Sequence, residues 1–249
     1  MTILREQAFQ TITFILVVLI VDCLERLRPA FPVNRRRELP LNLLAMAAVI
    51  LLGERAKIIA HDLFKFIHLK SFLSHSSLTS LPGPAKIILA IVFTDFSLYW
   101  VHRAMHGKLL WPTHRFHHSI GEIWWLSGAR TSFTHLCLFA APQVFIAYYL
   151  LDLSSFQIGL ALSFAVGINI WLHANIRVNL GFFEEILVTP NYHRIHHGAE
   201  GLTDKNLGFV FTIWDKMFGT YICPKSMGRD FPLFAEPVKK RLLRLFAGI

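Results

Sequence analysis

Histidine occurs in this chain in three short motifs whose spacing suits metal binding. The first is His-x-x-x-His in "VHRAMHG" at 101–107, and the other two are His-x-x-His-His, in "THRFHHSI" at 113–120 and "NYHRIHHGA" at 191–199. Residues three and four apart share a helix face, so each motif directs two or three imidazoles the same way. The predicted metal ligands are the eight motif histidines together with His173, which follows an apolar run: His102, His106, His114, His117, His118, His173, His193, His196 and His197.

Nine imidazoles indicate two metal ions rather than one. A tetrahedral ion needs four ligands, so nine suit two ions with four or five ligands each. We therefore expect each HxxHH motif to give ligands to both ions. Imidazole binds iron, zinc, copper and nickel, so the ligand type does not select the metal. A site beside membrane segments is suited to a lipid chain, and iron provides the chemistry that oxidises unactivated C–H bonds, so we favour two iron ions with O2 as co-substrate.

Carboxylates are expected to support these neutral ligands by holding their far ring nitrogens. Asp95 lies seven residues before His102, two helical turns away on the same face, and is the main candidate for a carboxylate that holds a ligand ring in this way. Further candidates, chosen by closeness in sequence to a motif, are Glu122, Asp204, Asn206 and Asp215. The remaining histidines stand outside the motifs and are not predicted ligands: His61, His68, His75 and His135. Trp100, Trp111, Trp124 and Trp125 are interpreted as interfacial anchors.

The elements that carry the motifs are apolar enough for a membrane. Of the 249 residues, 54% are hydrophobic and only 16% are charged, which is unusual for a soluble domain. A membrane helix needs about 20 apolar residues, and five segments come near this length: 4–22, 39–53, 84–101, 136–151 and 156–172. We predict an all-α integral membrane bundle of about four to five helices with a cytoplasmic, histidine-rich di-metal cap. The short "DLSS" at 152–155 predicts a tight hairpin, and 54–73 has the pattern of an interfacial helix.

Charge predicts the orientation. The net charge of +9 comes from short groups of Lys and Arg beside apolar runs, a pattern of membrane topology that gives no indication of nucleic acid. An arginine-rich stretch at 26–37 separates the first two segments and assigns that loop to the cytoplasm. Alternate crossings then put every clustered histidine on the cytoplasmic side, of the bacterial inner membrane or of the endoplasmic reticulum in a eukaryote. The first apolar run lacks the features of a signal peptide and is expected to belong to the mature protein.

No internal domain boundary is evident. We predict a single membrane domain over 1–249, with membrane helices and an interfacial segment in 1–90 and the catalytic region in 91–221. Neither a GxGxxG nor a CxxCH motif is present, so electrons are expected from a separate donor, a ferredoxin or small cytochrome with its reductase. Basic residues that could dock such an acidic donor are Arg103, Lys108, Arg115, Lys205 and Lys216.

The stretches "DFSLYWVHRAMHGKLLWPTHRFHHS" at 95–119 and "TPNYHRIHHG…DKNLGFVFTIWDKMFGTY" at 189–221 closely resemble the fatty acid hydroxylase superfamily, also called the sterol desaturase family. The resemblance implies an integral-membrane, non-haem di-iron enzyme that hydroxylates or desaturates a lipid or sterol. It also implies that the eight motif histidines are iron ligands, with His173 matching a further histidine after the last span.

Two other classes of protein could gather histidines. A membrane metal-binding or transport protein without oxygenase activity would place ligands inside the spans along a path, whereas these lie at or beyond span ends. A bis-histidine haem protein would need only one or two facing pairs. Metal content and an optical spectrum distinguish the three classes.

Overall fold

The structure is a computed structural model that describes residues 2–68, 77–199, 201–225, 232–235 and 242–249. The chain in these ranges is helical. Its α-helices are α1 (Thr2–Leu27), α2 (Arg35–Phe66), α3 (Gly83–Met105), α4 (Trp111–His114), α5 (Phe133–Val144), α6 (Ser155–Leu172), α7 (Pro190–His196), α8 (Ile213–Phe218) and α9 (Leu242–Ala247). Short 3-10 helices cover Ser77–Ser80, His117–Ser119, Trp125–Ala129 and Gly181–Glu185. Extended pairing in the described ranges is limited to isolated bridges, which confirms the predicted all-α class.

Three helices are long and apolar enough to cross a bilayer: α3, α5 with its π-helical continuation Phe145–Leu150, and α6. They have 23, 18 and 18 residues, and 18 residues of helix span about 27 Å, close to the apolar thickness of a bilayer. They match the predicted segments 84–101, 136–151 and 156–172. The predicted hairpin joins the last two, where Ser154 caps α6 by accepting a hydrogen bond from the Gln157 N–H.

The first two predicted segments lie within α1 and α2, which do not meet the same criteria over the described residues. Their role as membrane spans stays a prediction. Residues 54–66, predicted to belong to an interfacial helix, are helical as the continuation of α2 through Gly53 to Phe66. Their position at the interface stays a prediction, and residues 69–73 lie outside the described ranges. Ala56 and Ala60, four positions apart, are buried against Ala140 and Val144 of α5. Small side chains allow this close contact, which extends α2 along the span.

A buried carboxylate connects α1 to the histidine-bearing end. Glu25 is 1% exposed and accepts hydrogen bonds from the Trp125 N–H at 2.8 Å, the Asn175 N–H at 2.7 Å and Arg35 Nη2 at 2.6 Å. A buried charge is stable only when it is paired in this way. The arginine-rich connection between α1 and α2 therefore lies at the same end of the bundle as the segments that carry the histidines.

The histidines meet where three spans end. His102 lies in the last turn of α3 and His173 directly follows α6. The first HxxHH motif occupies α4 and the 3-10 turn after it, and the second occupies α7. The C-terminal helix α9 closes one side, with Phe246 packed 4.6 Å from the ring of Phe116.

Candidate metal centre

The predicted ligands form two groups of buried imidazoles. The five-histidine cluster contains His102, His106, His114, His118 and His196, and the four-histidine cluster contains His117, His173, His193 and His197. Within each cluster the available ligand atoms lie within 4.8 Å of one another. All nine predicted ligands are brought together, and over the described residues no other side chain joins either group.

Each HxxHH motif is divided between the clusters, as expected for a dinuclear site. The first motif gives His114 and His118 to the five-histidine cluster and His117 to the other. The second gives His196 to the five-histidine cluster and His193 and His197 to the other. In the second motif His193 and His197 are four residues apart and give their ligand atoms to the same cluster, whereas His196 is rotated about 100° from the adjacent His197 around the helix axis.

Local sequence fixes the second motif. Pro190 occupies the first turn of α7, where its lack of an N–H costs nothing. Thr189 caps the helix and accepts a hydrogen bond from the Tyr192 N–H at 3.3 Å. The helix therefore begins at a defined residue, and this sets the direction of the three histidines that follow.

The ring nitrogens are spaced as the ligands of one ion are. In the four-histidine cluster, His117 Nε2 lies 3.3 Å from His173 Nε2 and 3.1 Å from His197 Nε2. In the five-histidine cluster, His102 Nε2 and His114 Nε2 are 2.9 Å apart. A metal with bonds of about 2.1 Å separates neighbouring ligand atoms by roughly 3.0 to 3.4 Å. The spacing fits a metal ion in each cluster.

Backbone carbonyls determine which nitrogen faces the cluster. His102 Nδ1 contacts Leu207 O at 2.8 Å, His117 Nδ1 contacts Arg130 O at 3.2 Å, and His173 Nδ1 contacts Asn169 O at 2.9 Å. His196 Nδ1 contacts Lys205 O at 3.0 Å in the same manner. A carbonyl only accepts, so in each ring Nδ1 carries the hydrogen and Nε2 points a lone pair into its cluster. Lone pairs facing one another are repulsive until a cation binds between them.

Burial keeps these rings neutral and ready to bind. Removal from water holds the pKa values of His114, His117 and His197 well below the ordinary histidine value and lowers the pKa of His173 to about 4. Several nitrogens also have no hydrogen-bond partner, among them His106 Nε2 and His196 Nε2. A buried polar atom without a partner costs about 1–3 kcal/mol, and a metal ion would remove that cost.

Asp204 is the one carboxylate of the described residues that contacts a predicted ligand, with its Oδ1 3.5 Å from His106 Nδ1. Asp95 was expected to hold a ring nitrogen, and the structure corrects this. Its oxygens accept from the N–H groups of Phe209, Val210 and Phe211 at 3.2, 2.9 and 3.0 Å, and from Trp214 Nε1 at 2.8 Å. Four donors already occupy the carboxylate, which therefore holds the backbone shortly after Leu207, whose carbonyl contacts His102.

The other polar candidates also form hydrogen bonds with backbone groups. Asp215 accepts from the Leu207 and Gly208 N–H groups, each at 2.8 Å, and thereby fixes the segment whose Leu207 carbonyl contacts His102. Asn206 Nδ2 donates to the carbonyls of Tyr192 and Ile222. Glu122 accepts from the Asn34 N–H beside α2.

Two residues near the clusters lie outside the histidine motifs, so motif spacing could not identify them. Arg130 is 2% exposed; its carbonyl contacts His117, and its guanidinium donates to Glu38, to Asn42 Oδ1 at 2.7 Å and to Ser119 O at 2.6 Å. His135, excluded from the ligand set by its sequence position, is buried with its Nδ1 3.3 Å from His114 Nδ1. Its position directly before the predicted apolar segment 136–151 was the only signal in the sequence.

The remaining predictions for tryptophan and histidine residues have different outcomes. Trp111, interpreted as an interfacial anchor, packs 5.3 Å from His118 and 5.5 Å from His106, and so forms part of the cluster wall. His61 is far from the clusters and packs against Tyr148. His68 is exposed at the end of α2, and His75 lies outside the described residues.

A largely apolar cavity of about 210 Å³ lies between α3, α5 with its π-helical continuation, and α6, with Glu54 and Lys57 of α2 also in its lining. Ala90, Leu98 and Ile158 are among its lining residues. At one end it is bounded by Phe209, whose ring centroid is 5.2 Å from that of His102 and 5.3 Å from that of Phe139. The cavity thus extends from the membrane helices to the wall of the five-histidine cluster.

The fold and the site define an integral membrane protein of α-helices with two adjacent all-histidine clusters at one end of its spans. The sequence profile described as fatty acid hydroxylase matches residues 87–220, more than half of the chain. The chain belongs to the fatty acid hydroxylase family.

Three relatives indicate the range of this family. Alkylglycerol monooxygenase of Homo sapiens is 31% identical over 205 residues, which cover 74% of this chain and 43% of that protein. Ornithine lipid hydroxylase OlsE of Rhizobium tropici is 35% identical over 183 residues, covering 70% and 54%. Lathosterol oxidase of Homo sapiens is 27% identical over 184 residues, covering 64% and 54%. The chain therefore spans about half the length of these relatives. No solved structure matches it.

Proposed function

We propose that this protein is a membrane-bound di-iron oxidoreductase that uses O2 to hydroxylate or desaturate a C–H bond of a lipid or sterol. The observation that carries the proposal is the pair of adjacent imidazole clusters beside an apolar cavity between membrane helices. Membership of the fatty acid hydroxylase family supports it, as do relatives named as an alkylglycerol monooxygenase, an ornithine lipid hydroxylase and a lathosterol oxidase.

The nine clustered histidines are the proposed ligands. Neutral imidazole suits iron, and a site made only of histidine leaves the positive charge of the ions uncancelled by ligands. Two bound irons would supply the activation of O2 that oxidation of an unactivated C–H bond requires. Backbone carbonyls fix the tautomers of His102, His117 and His173, while Asp95 and Asp215 hold the loop behind His102.

The apolar cavity is the proposed site for the hydrocarbon part of the substrate. Its position between α3, α5 and α6 allows a chain to enter from the bilayer, and Phe209 separates its inner end from His102. The distance and angle between a bound chain and the metals decide between an alcohol and an alkene.

We place the metal centre on the cytoplasmic side. The arginine-rich connection between α1 and α2 lies at the same end as the histidines, since Arg35 pairs with Glu25 beside Trp125 and Asn175. Lysine and arginine favour the cytoplasmic face. Electrons are proposed to come from a separate acidic donor, a ferredoxin or a small cytochrome with its reductase. We treat residues 1–249 as one membrane domain with the catalytic region in 91–221.

The test combines metal analysis with lipid analysis. Purified protein should contain about two irons per chain and show no Soret band, and cells that express it should contain a lipid that gains one oxygen or loses two hydrogens. Labelled O2 should appear in a hydroxylated product. One zinc per chain with unchanged lipids would favour the alternative, a membrane metal-binding or transport protein without oxygenase activity, and a Soret band would indicate haem.

A further inference from the structure

His135 is a tenth imidazole at the metal centre that belongs to neither cluster. It lies in the first turn of α5, where Ser132 Oγ accepts a hydrogen bond from its backbone N–H at 3.1 Å. The same Ser132 hydroxyl donates to Thr113 O at 2.6 Å, next to His114. The Phe139 ring packs 4.3 Å from the His135 ring. The side chain is therefore held against His114 by backbone contacts on one side and an aromatic ring on the other.

The Nδ1 atom of His114 contacts a side chain, whereas the Nδ1 atoms of four other clustered histidines contact backbone carbonyls. Among the clustered histidines, His102, His117, His173 and His196 each direct Nδ1 to a backbone carbonyl. His114 instead directs Nδ1 to His135 Nδ1 at 3.3 Å. A carbonyl accepts a hydrogen bond and cannot donate one, whereas an imidazole nitrogen does either according to its tautomer.

The cluster geometry selects one of these arrangements. His114 Nε2 points at His102 Nε2, 2.9 Å away, so it is the atom that faces an ion. Its hydrogen then lies on Nδ1 and is donated to His135 Nδ1, which must be a bare acceptor. His135 carries its own hydrogen on Nε2, and so its Nδ1 is not free to bind metal.

We propose that His135 is a positioning residue for the five-histidine cluster: it accepts the Nδ1 hydrogen of His114 and thereby fixes the tautomer and ring angle with which His114 meets a metal ion. The inference rests on the proposed metal centre. Loss of such a partner commonly weakens metal affinity about 10- to 100-fold, and here the loss should be confined to one of two sites.

Three variants of the full chain in detergent micelles test the assignment. His135→Leu fills similar space without an acceptor, His135→Asn can present Oδ1 near the place of Nδ1, and His135→Gln carries its oxygen one bond further out. Metal-depleted protein is titrated with Co²⁺, and binding is followed by the visible spectrum and by competition with a chelator. His61→Leu is the matched control, since His61 packs against Tyr148 away from both clusters.

We expect two Co²⁺ sites in the wild type, one of which weakens 10- to 100-fold with a changed spectrum in His135→Leu. His135→Asn should stay within about threefold of wild type, and His135→Gln should resemble His135→Leu. The proposal is overturned if His135→Leu binds both ions as wild type does, or if both sites weaken equally. If His135→Leu does not fold, equal affinities in the Asn and Gln variants overturn it.

Failure of the proposed function gives a different result. A wild type that binds no Co²⁺ removes the metal centre and this inference together, whereas normal wild-type binding with an unaffected His135→Leu removes only the role of His135. Turnover is not needed for either outcome. The test is therefore independent of the substrate and of the electron donor.

Discussion

His117 Nε2 lies 3.1 Å from His197 Nε2, although the two residues are 80 positions apart in the chain. This contact joins the two HxxHH motifs within the four-histidine cluster. Both nitrogens are buried, and His117 Nδ1 is already occupied by Arg130 O. The contact places a ligand from each motif beside the same proposed ion, which is the basis of the first prediction.

His117→Ala should lower metal content and abolish turnover while the protein still inserts into the membrane. It removes one of only four ligands from its cluster and leaves the five-histidine cluster intact, so about one ion per chain should remain. Metal analysis of purified protein measures this, with His61→Ala as control. Two ions per chain and full activity in His117→Ala would remove His117 from the ligand set.

Asp95→Asn should reduce stability and reduce turnover more than metal content. The amide replaces one oxygen by an NH2 group, which faces either the N–H groups of Phe209 and Val210 or those of Phe211 and the Trp214 ring, at a cost of about 1–3 kcal/mol. Thermal unfolding and turnover at equal metal occupancy measure the two effects. Asp62→Asn is the control, because Asp62 is exposed on α2. An unchanged rate in Asp95→Asn would limit Asp95 to a structural role.

Phe209→Ala should change the position at which a lipid chain is oxidised. The Phe209 ring lies between the apolar cavity and His102, so its removal allows a chain to extend further towards the five-histidine cluster. Mass spectrometry of product positional isomers measures the shift. Phe183→Ala, at a side chain that is 60% exposed, is the matched control. The same product distribution from wild type and Phe209→Ala would show that this ring does not set substrate depth.

Metal-depleted protein should lose stability as the pH falls. Burial lowers the pKa of His173 to about 4 and holds the pKa values of His117 and His193 well below the ordinary value of about 6.5. Below pH 6.5 the unfolded chain therefore binds protons that the folded chain does not, so stability decreases as the pH falls from about 6.5 towards 4. The unfolding temperature, followed by tryptophan fluorescence, should decrease over this range. A value constant from pH 7 to 5 would contradict the expectation.

The matched comparison for the pH prediction is His173→Phe. This variant lacks one of the buried imidazoles, so its unfolding temperature should decrease less as the pH falls than that of metal-depleted wild type. His61→Phe, at a half-exposed site that belongs to neither cluster, should keep the wild-type slope. If the unfolding temperature changed equally with pH in all three proteins, the buried imidazole of His173 would be excluded as a cause of that change.

The clustered histidines and three of the five apolar segments were predictable because both depend on features of short stretches of sequence. Helix geometry puts residues three or four apart on one face, and membrane length requires about 20 apolar residues, so each leaves a pattern in a short window. Local reasoning did not show that α2 continues without a break from its apolar part to Phe66, where Ala56 and Ala60 pack against α5.

The amino-acid sequence by itself identified nine candidate metal ligands in an apolar helical protein, because the spacing of these histidines and the apolar segments beside them are visible in the sequence. Only the tertiary structure decided which cluster each histidine joins, that Asp95 holds a loop rather than a ring, and that His135 faces His114. These relationships join atoms from segments that are distant in the chain. Their directions depend on helix ends, caps and buried backbone hydrogen bonds, which no short window of sequence contains.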